Sequence, residues 1–388
     1  MRLDVVDGIR GHMMVGMMSA HLFIQQSVGT IYIPHHHTIL GLWDAEFFFL
    51  IAGFLVGWMF RHKLTTPEKR HRFLLKRLKK ILQYYVLSAL PFIVAATFAI
   101  MEPADGTPVE RFFWALIGVL TFTDGGFFSE ILVFYFWCFL IVLAIVYLCG
   151  TDFRRILGIG AAFYLLSGLF TGGGLFGLGQ EAIQGFDLTA WIFHFLISLA
   201  IGYYFTELDT FAAKVPPRMI YLLVGGTAAM TAVIIRFEPF LTYGEWRGVV
   251  DWFRLPHWPS RVELHPLYLF HIFAVSASIY LIMRARPGVL RYPAQVLEAY
   301  FKWTVLRTVG QYSIQMFTIH CYIVAAVMMT AEVYDIAPGA FSLLGTALVI
   351  AFLFGPYLVL RLRDRLGQPQ PGGRPGQDGP KGRSTGSA

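Results

Sequence analysis

The chain contains 388 residues, of which 56% are hydrophobic and only 14% are charged. A water-soluble chain of this length carries about 25% charged residues, so the composition excludes an ordinary soluble protein and predicts an integral membrane protein. The net charge of +7 does not indicate a nucleic-acid partner, because the basic residues cluster beside apolar runs. In such places they meet anionic lipid headgroups or anionic ligands.

Apolar runs of about 20 residues, the length needed to cross about 30 Å of hydrocarbon, recur along the chain. They predict an all-α protein with ten membrane-spanning helices, at residues 9–28, 39–60, 81–100, 130–149, 155–171, 188–205, 218–235, 266–283, 311–330 and 340–361. Residues 112–123 are apolar but too short to cross the membrane, and we expect them to form an interfacial or re-entrant helix.

A block of positive charge separates the second and third predicted spans. Nine lysines and arginines fall between Arg61 and Lys80, with a single acid, Glu68, among them. We call residues 61–80 the basic block. Loops rich in Lys and Arg lie on the cytoplasmic side of membrane proteins, so the block is predicted to be inside. Counting the ten spans outward from it places both chain termini on the cytoplasmic side as well.

The first predicted span carries an unusual set of polar residues. Asp7 and Arg10 lie one helical turn apart and can pair. Arg10 and His21 are eleven residues apart, which places them about 20° from the same helix face, whereas His12 points away from His21. The Asp7–Arg10 pair would also fit a helix start at which charged side chains extend toward the membrane surface, and a lone histidine is often a packing residue. The shared face favours a functional role for His21.

Other ionisable residues lie in later apolar runs, where each costs about 2.5–3.5 kcal/mol on insertion scales. Glu46, in the second predicted span, is expected to be hydrogen-bonded to a partner that the sequence does not identify. His271 and His320 would each be interpreted as structural if seen alone. The cluster His35–His37 has no fixed helical spacing, and no metal site is predicted.

Several segments resemble the acyltransferase-3 superfamily. The opening RLDVVDGIRGHMMVGMMSAH is similar to its first helix, in which an Arg is followed eleven residues later by a His, here Arg10 and His21. DAEFFFLIAGFLVGW resembles its FFFLSGF second helix, and HRFLLKRLKKILQYY resembles the basic start of its third. LRTVGQYSIQMFTIHCYI is similar to its "G..S..iYL.H" segment, which falls on Gly310, Ser313 and His320.

Three further segments resemble the OpgC branch, the succinyltransferases of osmoregulated periplasmic glucans. They are FFSEILVFYF at 127–136, FDLTAWIFHFLISLAIG at 186–202 and VELHPLYLFHIFAVS at 262–276, in the order of that branch. The resemblance implies an acyltransferase-3-like protein of the bacterial inner membrane that moves an acyl group from cytosolic acyl-CoA to a periplasmic glucan or other glycan. Residues 1–366 are then one transmembrane acyltransferase domain, and the Gly- and Pro-rich residues 367–388 are expected to be a disordered cytoplasmic tail.

The resemblance and the residues together give expected roles. His21 is expected to be the general base, with Arg10 and Asp7 beside it, and a transient acyl-histidine is the alternative. The residues expected to bind the phosphates of acyl-CoA are Arg72, Arg77 and Lys80. The expected substrate-binding or supporting residues are Glu46, His271, Ser313 and His320. Succinyl-CoA is the implied co-substrate, and no tightly bound cofactor is expected.

Two departures from the branch leave the acyl donor and acceptor open. Gln311-Tyr312 stands where the branch often has Gln-His before Ser313, and residues 236–265 match no segment of it. A transporter or flippase is the competing class, because ten spans with buried polar residues also suit a secondary transporter. A sensor or scaffold explains the alignment of Arg10 with His21 poorly, and the oligomeric state is not predicted.

Overall fold

The structure, a computed structural model, describes residues 4–23, 40–42, 44–100, 105–122, 129–167, 188–243, 266–334 and 338–365. Within these residues every regular element is a helix, apart from one 3-10 turn at Gly288–Leu290. The helices are α1 (Asp4–Phe23), α2 (Asp44–His62), α3 (Pro67–Phe98), α4 (Pro108–Thr121), α5 (Glu130–Cys149), α6 (Phe153–Ser167), α7 (Leu188–Tyr203), α8 (Phe205–Ala212), α9 (Pro217–Tyr243), α10 (Pro266–Ala285), α11 (Arg291–Phe301), α12 (Thr304–Gln311), α13 (Ser313–Val333) and α14 (Pro338–Arg365).

Some of these helices are long and apolar enough to cross a membrane. Seven of the described helices meet that condition, and up to eight if α7 and α8, which are bent by 72° relative to each other, form one broken span. The helices that qualify singly are α2, α3, α5, α9, α10, α13 and α14. The all-helical membrane class is therefore confirmed, while the count of ten stays a prediction. The remaining two predicted spans correspond to α1, which carries Asp4, Asp7 and Arg10, and to α6, which has 15 residues.

Residues 112–121 of the short apolar segment predicted at 112–123 lie in the 14-residue helix α4. At about 1.5 Å per residue, α4 is about 21 Å long and too short to cross the hydrocarbon. A capping box between Thr107 and Glu110 fixes its start, and hydrogen bonds from Thr107 lower the pKa of Glu110. Trp114 and Phe113 are exposed on its surface. These features are typical of a helix that lies at a membrane interface.

Two helix pairs pack with their backbones in direct contact, and glycines make this possible. In the first pair, a Cβ at Gly11 of α1 would overlap the carbonyl oxygen of Leu306, and one at Gly310 of α12 would overlap that of Asp7. A Cβ at Gly8 would overlap the carbonyl oxygen of Phe301, the last residue of α11. In the second pair, α2 lies equally close to α7. The glycines of that contact are Gly53, Gly57 and Gly202. Close approach through small residues is a common way of packing membrane helices.

The helix α13 links these pairs to the rest of the bundle, since it packs against both α1 and α3. The side chains of Ser88 on α3 and Thr318 on α13 are joined at 3.0 Å. On its other side α3 packs against α5 and α4, and the Tyr85 hydroxyl donates to the carbonyl of Val119 at 3.0 Å. We call the region where α13 packs against α1 and α3 the central region.

Several predicted features lie outside the described residues. These are the disordered tail at 367–388, the histidine cluster His35–His37, and most of the segment 236–265.

Candidate active site

Two histidines from distant parts of the chain meet in the central region. Nδ1 of His21, near the end of α1, lies 2.8 Å from Nε2 of His320 in the middle of α13. His320 is fully buried, whereas His21 is partly accessible. We call His21 and His320 the histidine pair. The ring of His21 therefore points into the bundle, as its shared face with Arg10 predicted.

Arg10 lies about 17 Å from His21 along α1, at eleven residues of separation. Its guanidinium donates to the Ser313 hydroxyl at the start of α13, and it forms the predicted ion pair with Asp7 at 3.6 Å. Both Arg10 and His21 thus contact α13, while His12 points elsewhere and bonds the Tyr300 hydroxyl at 2.9 Å. Sequence reasoning on α1 gave the right face for each of these side chains.

Two of the predicted phosphate-binding residues lie close to Arg10. Arg77 and Lys80 on α3 both interact electrostatically with it. We call Arg10, Arg77 and Lys80 the cationic cluster. Asp7 offsets one of these three charges, so the cluster favours an anion. About 26% of the Arg10 side chain is accessible, and groups on α3, α5 and α13 all interact with it.

The structure does not bring Arg72 to this cluster. Arg72 and Arg77 are both exposed on α3, but their positions on the helix are about 140° apart. Arg70, also in the basic block, is buried and bonds the carbonyls of Leu64 and Thr65 at 2.8 and 3.0 Å, so it holds the turn before α3. The basic block therefore divides into residues that face Arg10 and residues that do not.

Glu46 and His271 lie on other helices than the histidine pair, α2 and α10. Glu46 is fully buried near the start of α2. His271 is fully buried on α10, and its Nε2 lies 2.9 Å from the Thr231 hydroxyl on α9. A further bond of 3.1 Å between Thr227 and Ser278 joins the same two helices. The contact of His271 with Thr231 is of the kind that holds membrane helices together.

Sequence reasoning missed two buried polar side chains. The Tyr135 hydroxyl on α5 is buried, meets no hydrogen-bond partner among the described residues, and interacts electrostatically with Arg10. Its ring stacks on Phe49, with centroids 4.3 Å apart. His194 on α7 is fully buried, and neither ring nitrogen has a partner in the part of the chain that the structure describes. Tyr135 and His194 are each polar residues in apolar runs, so the sequence alone could have identified them as candidate interior polar groups.

The fold and this arrangement define a class: a multi-pass, all-helical membrane protein with polar residues gathered inside the bundle. A family model described as OpgC protein matches residues 2–364, and the chain belongs to the OpgC family. The match spans the whole stretch over which the sequence resembles that branch. No curated protein and no solved structure matches the chain.

Proposed function

We propose that this protein is a membrane-bound O-acyltransferase that moves an acyl group, succinyl in the OpgC branch, from cytosolic acyl-CoA to a hydroxyl of a periplasmic glucan. The observation that carries the proposal is the inward-facing, partly accessible His21, held at 2.8 Å by a buried imidazole on another helix. An imidazole in such a place can act as a general base toward a substrate that reaches the bundle interior.

The donor binds from the cytoplasmic side in this proposal, with both chain termini on that side. Its phosphates carry several negative charges and meet the cationic cluster, in which Arg binds phosphate oxygens bidentately and Lys acts as a point charge. Between Arg10 and His21 the side chains of Met14 and Met17 face the interior and are buried. Methionine is flexible and adapts to irregular ligands, so this stretch suits a thioester arm that extends toward His21.

The proposed chemical step needs only the two substrates and residues of this chain. The His21 imidazole takes the proton of the acceptor hydroxyl while the hydroxyl oxygen attacks the thioester carbonyl carbon. The tetrahedral adduct then expels the sulfur, which receives the proton from the imidazolium. The products are the glycan ester and the free thiol of CoA. An acyl-histidine route would use the same nitrogen as a nucleophile instead.

The experiment that tests the proposal uses purified protein in proteoliposomes with acyl-CoA labelled in the acyl group and a glucan acceptor. We expect the label to become covalently attached to the glucan and to be released by mild base, as an ester is. Succinyl-CoA and acetyl-CoA in parallel identify the acyl group. Movement of intact glucan or acyl-CoA across the bilayer without any labelled ester would contradict the proposal and support a transporter or flippase.

A further inference from the structure

The helix α11 (Arg291–Phe301) joins two membrane spans on one side of the bilayer. The span α10 leads into it through the 3-10 turn at Gly288–Leu290, and the short helix α12 leads from it to the span α13. With 11 and 8 residues, α11 and α12 are about 16 and 12 Å long, so neither crosses the hydrocarbon. The span α10 therefore ends on the side on which α13 begins, and α11 lies beside that membrane surface.

The side chains of α11 fall into three sectors when they are placed at 100° per residue. The first sector is polar and consists of Arg291, Gln295, Glu298 and Lys302. The second is buried and consists of Ala294 and Phe301, and α11 packs against α1 and α10. The third is apolar and consists of Tyr292, Val296 and Tyr300, which we call the exposed apolar face. Between 40% and 74% of each of these three residues is exposed among the residues that the structure describes.

A helix with this division of side chains suits the membrane interface. The centre of the polar sector is about 130° from the centre of the exposed apolar face, so one side can meet water while the other meets acyl chains. Tyrosine is enriched at the depth of the headgroups, and the exposed apolar face has two tyrosines. Arg291 and Lys302 lie at the two ends of the polar sector, where they can reach lipid phosphates.

A protein partner explains the exposed apolar face less well than lipid does. A stable protein interface uses about 20–30 residues on each side, whereas this face has three. Val289 and Trp303, which are also exposed, extend it to both ends of α11. The ring of Trp303 lies edge-to-face on Phe354 of the span α14, with centroids 5.7 Å apart. The surface is therefore narrow and continues into a membrane-spanning helix.

We propose that α11 is an interfacial helix whose exposed apolar face inserts among the lipid headgroups, with its polar sector turned to water. Insertion to about 5–10 Å is typical of such helices. Because Gly8 of α1 is in backbone contact with Phe301, the anchored helix holds the start of α1, which carries Arg10, at a fixed depth. The inference concerns the bilayer alone and does not depend on the proposed reaction.

The test places a nitroxide spin label at adjacent positions of α11 in the whole protein, in vesicles of phosphatidylcholine and phosphatidylglycerol. Gln295→Cys reports the polar sector and Val296→Cys the exposed apolar face, and both residues are exposed. Cys149→Ala is the background, since Cys138 and Cys321 are buried. Power-saturation EPR measures collisions of the label with oxygen, which concentrates among acyl chains, and with a water-soluble nickel chelate. We expect the ratio of oxygen to nickel collisions to be at least severalfold higher at position 296 than at position 295.

Equal ratios at the two positions would overturn the inference, because α11 would then have no side that meets lipid. Exclusion of both reagents from position 296 would overturn it as well, since another protein surface would then cover the face. Dipolar broadening of the spectrum would identify that surface as a second copy of this chain. Arg291→Cys and Tyr292→Cys repeat the comparison one turn earlier and decide if a label at 295 or 296 prevents folding. An absence of acyl transfer would bear only on the proposed function, because the label measurement uses neither substrate.

Discussion

The contacts between α1 and α12 and between α2 and α7 are built alike but carry different side chains. Both bring two backbones together at glycines, Gly11 and Gly310 in the first and Gly53, Gly57 and Gly202 in the second. Beside the first contact lie charged side chains, Asp7 with Arg10 and Asp4 with Arg307. Beside the second lie aromatic rings, such as Phe49 against Trp191. Close packing thus fixes helix positions in both, and the first contact has ion pairs beside it where the second has edge-to-face aromatic rings.

The largest effect should come from replacing a glycine at which the two backbones meet, in either contact. Gly11→Leu and Gly57→Leu each force a side chain into the backbone of Leu306 or Leu199, so we expect almost no folded protein from either. Yield of monodisperse protein in detergent is the measurement. Gly225→Leu is the control, because a Cβ there meets nothing within 4 Å. A normal yield for both core variants would show that the described packing is wrong.

The second-largest effects should distinguish the loss of a charge beside the first contact from the loss of packing in the second. Arg10→Gln removes a cation and weakens the contact with Ser313, so we expect transfer to fall by about 10²-fold while the protein still folds. Phe195→Leu, in the contact between α2 and α7, should affect stability more than activity. It should cost about 1 kcal/mol of stability and leave kcat within about twofold. Steady-state kinetics together with thermal unfolding measure both, and a similar kcat loss in the two variants would remove the distinction.

A smaller effect is expected at the outer members of the cationic cluster. Arg77→Gln should raise the KM for acyl-CoA about tenfold with little change in kcat, because one charge-assisted phosphate contact is worth about 1.5–3 kcal/mol before solvent screening. Lys79→Gln, an exposed residue of the same basic block, is the matched control. Equal changes in KM for the two variants would mean that the block acts only through its total charge.

The smallest effect should come from the ion pair at the start of α1. Asp4 and Arg307 are 2.5 Å apart, but 39% and 26% of their side chains are exposed. Exposed ion pairs contribute at most about 1 kcal/mol, so Asp4→Asn should lower the Tm by only a few degrees and leave transfer unchanged. A loss of activity as large as that of Arg10→Gln would extend the site to this end of α1.

Sequence reasoning was strongest where the geometry is local. The shared face of Arg10 and His21 follows from the period of a single helix, and the structure shows both contacting α13. The same period, applied to α3, would have separated Arg72 from Arg77. The partner of His21 could not be derived this way, because His320 lies 299 residues later in the chain. Only the packing of α1 against α13 brings the two rings together.

The sequence likewise could not show whether a buried histidine joins two helices or belongs to the candidate site. His271 and His320 look alike in the chain, each a histidine in an apolar run, and both are fully buried. Their partners differ: His271 meets a hydroxyl between α9 and α10, whereas His320 meets another imidazole. Tyr135 was overlooked because its run is otherwise apolar and its relation to Arg10 depends on how α5 packs.

The most direct test of the central claim is the kcat of acyl transfer by His21→Ala protein in proteoliposomes, measured beside His12→Ala. Both variants remove a hydrogen-bonded histidine from α1, but His12 contacts Tyr300 and faces away from the histidine pair. We expect His21→Ala to insert and fold normally and to lose at least about 10²-fold in kcat, with His12→Ala close to the unsubstituted protein. Transfer by His21→Ala at the rate of the His12→Ala control would contradict the account.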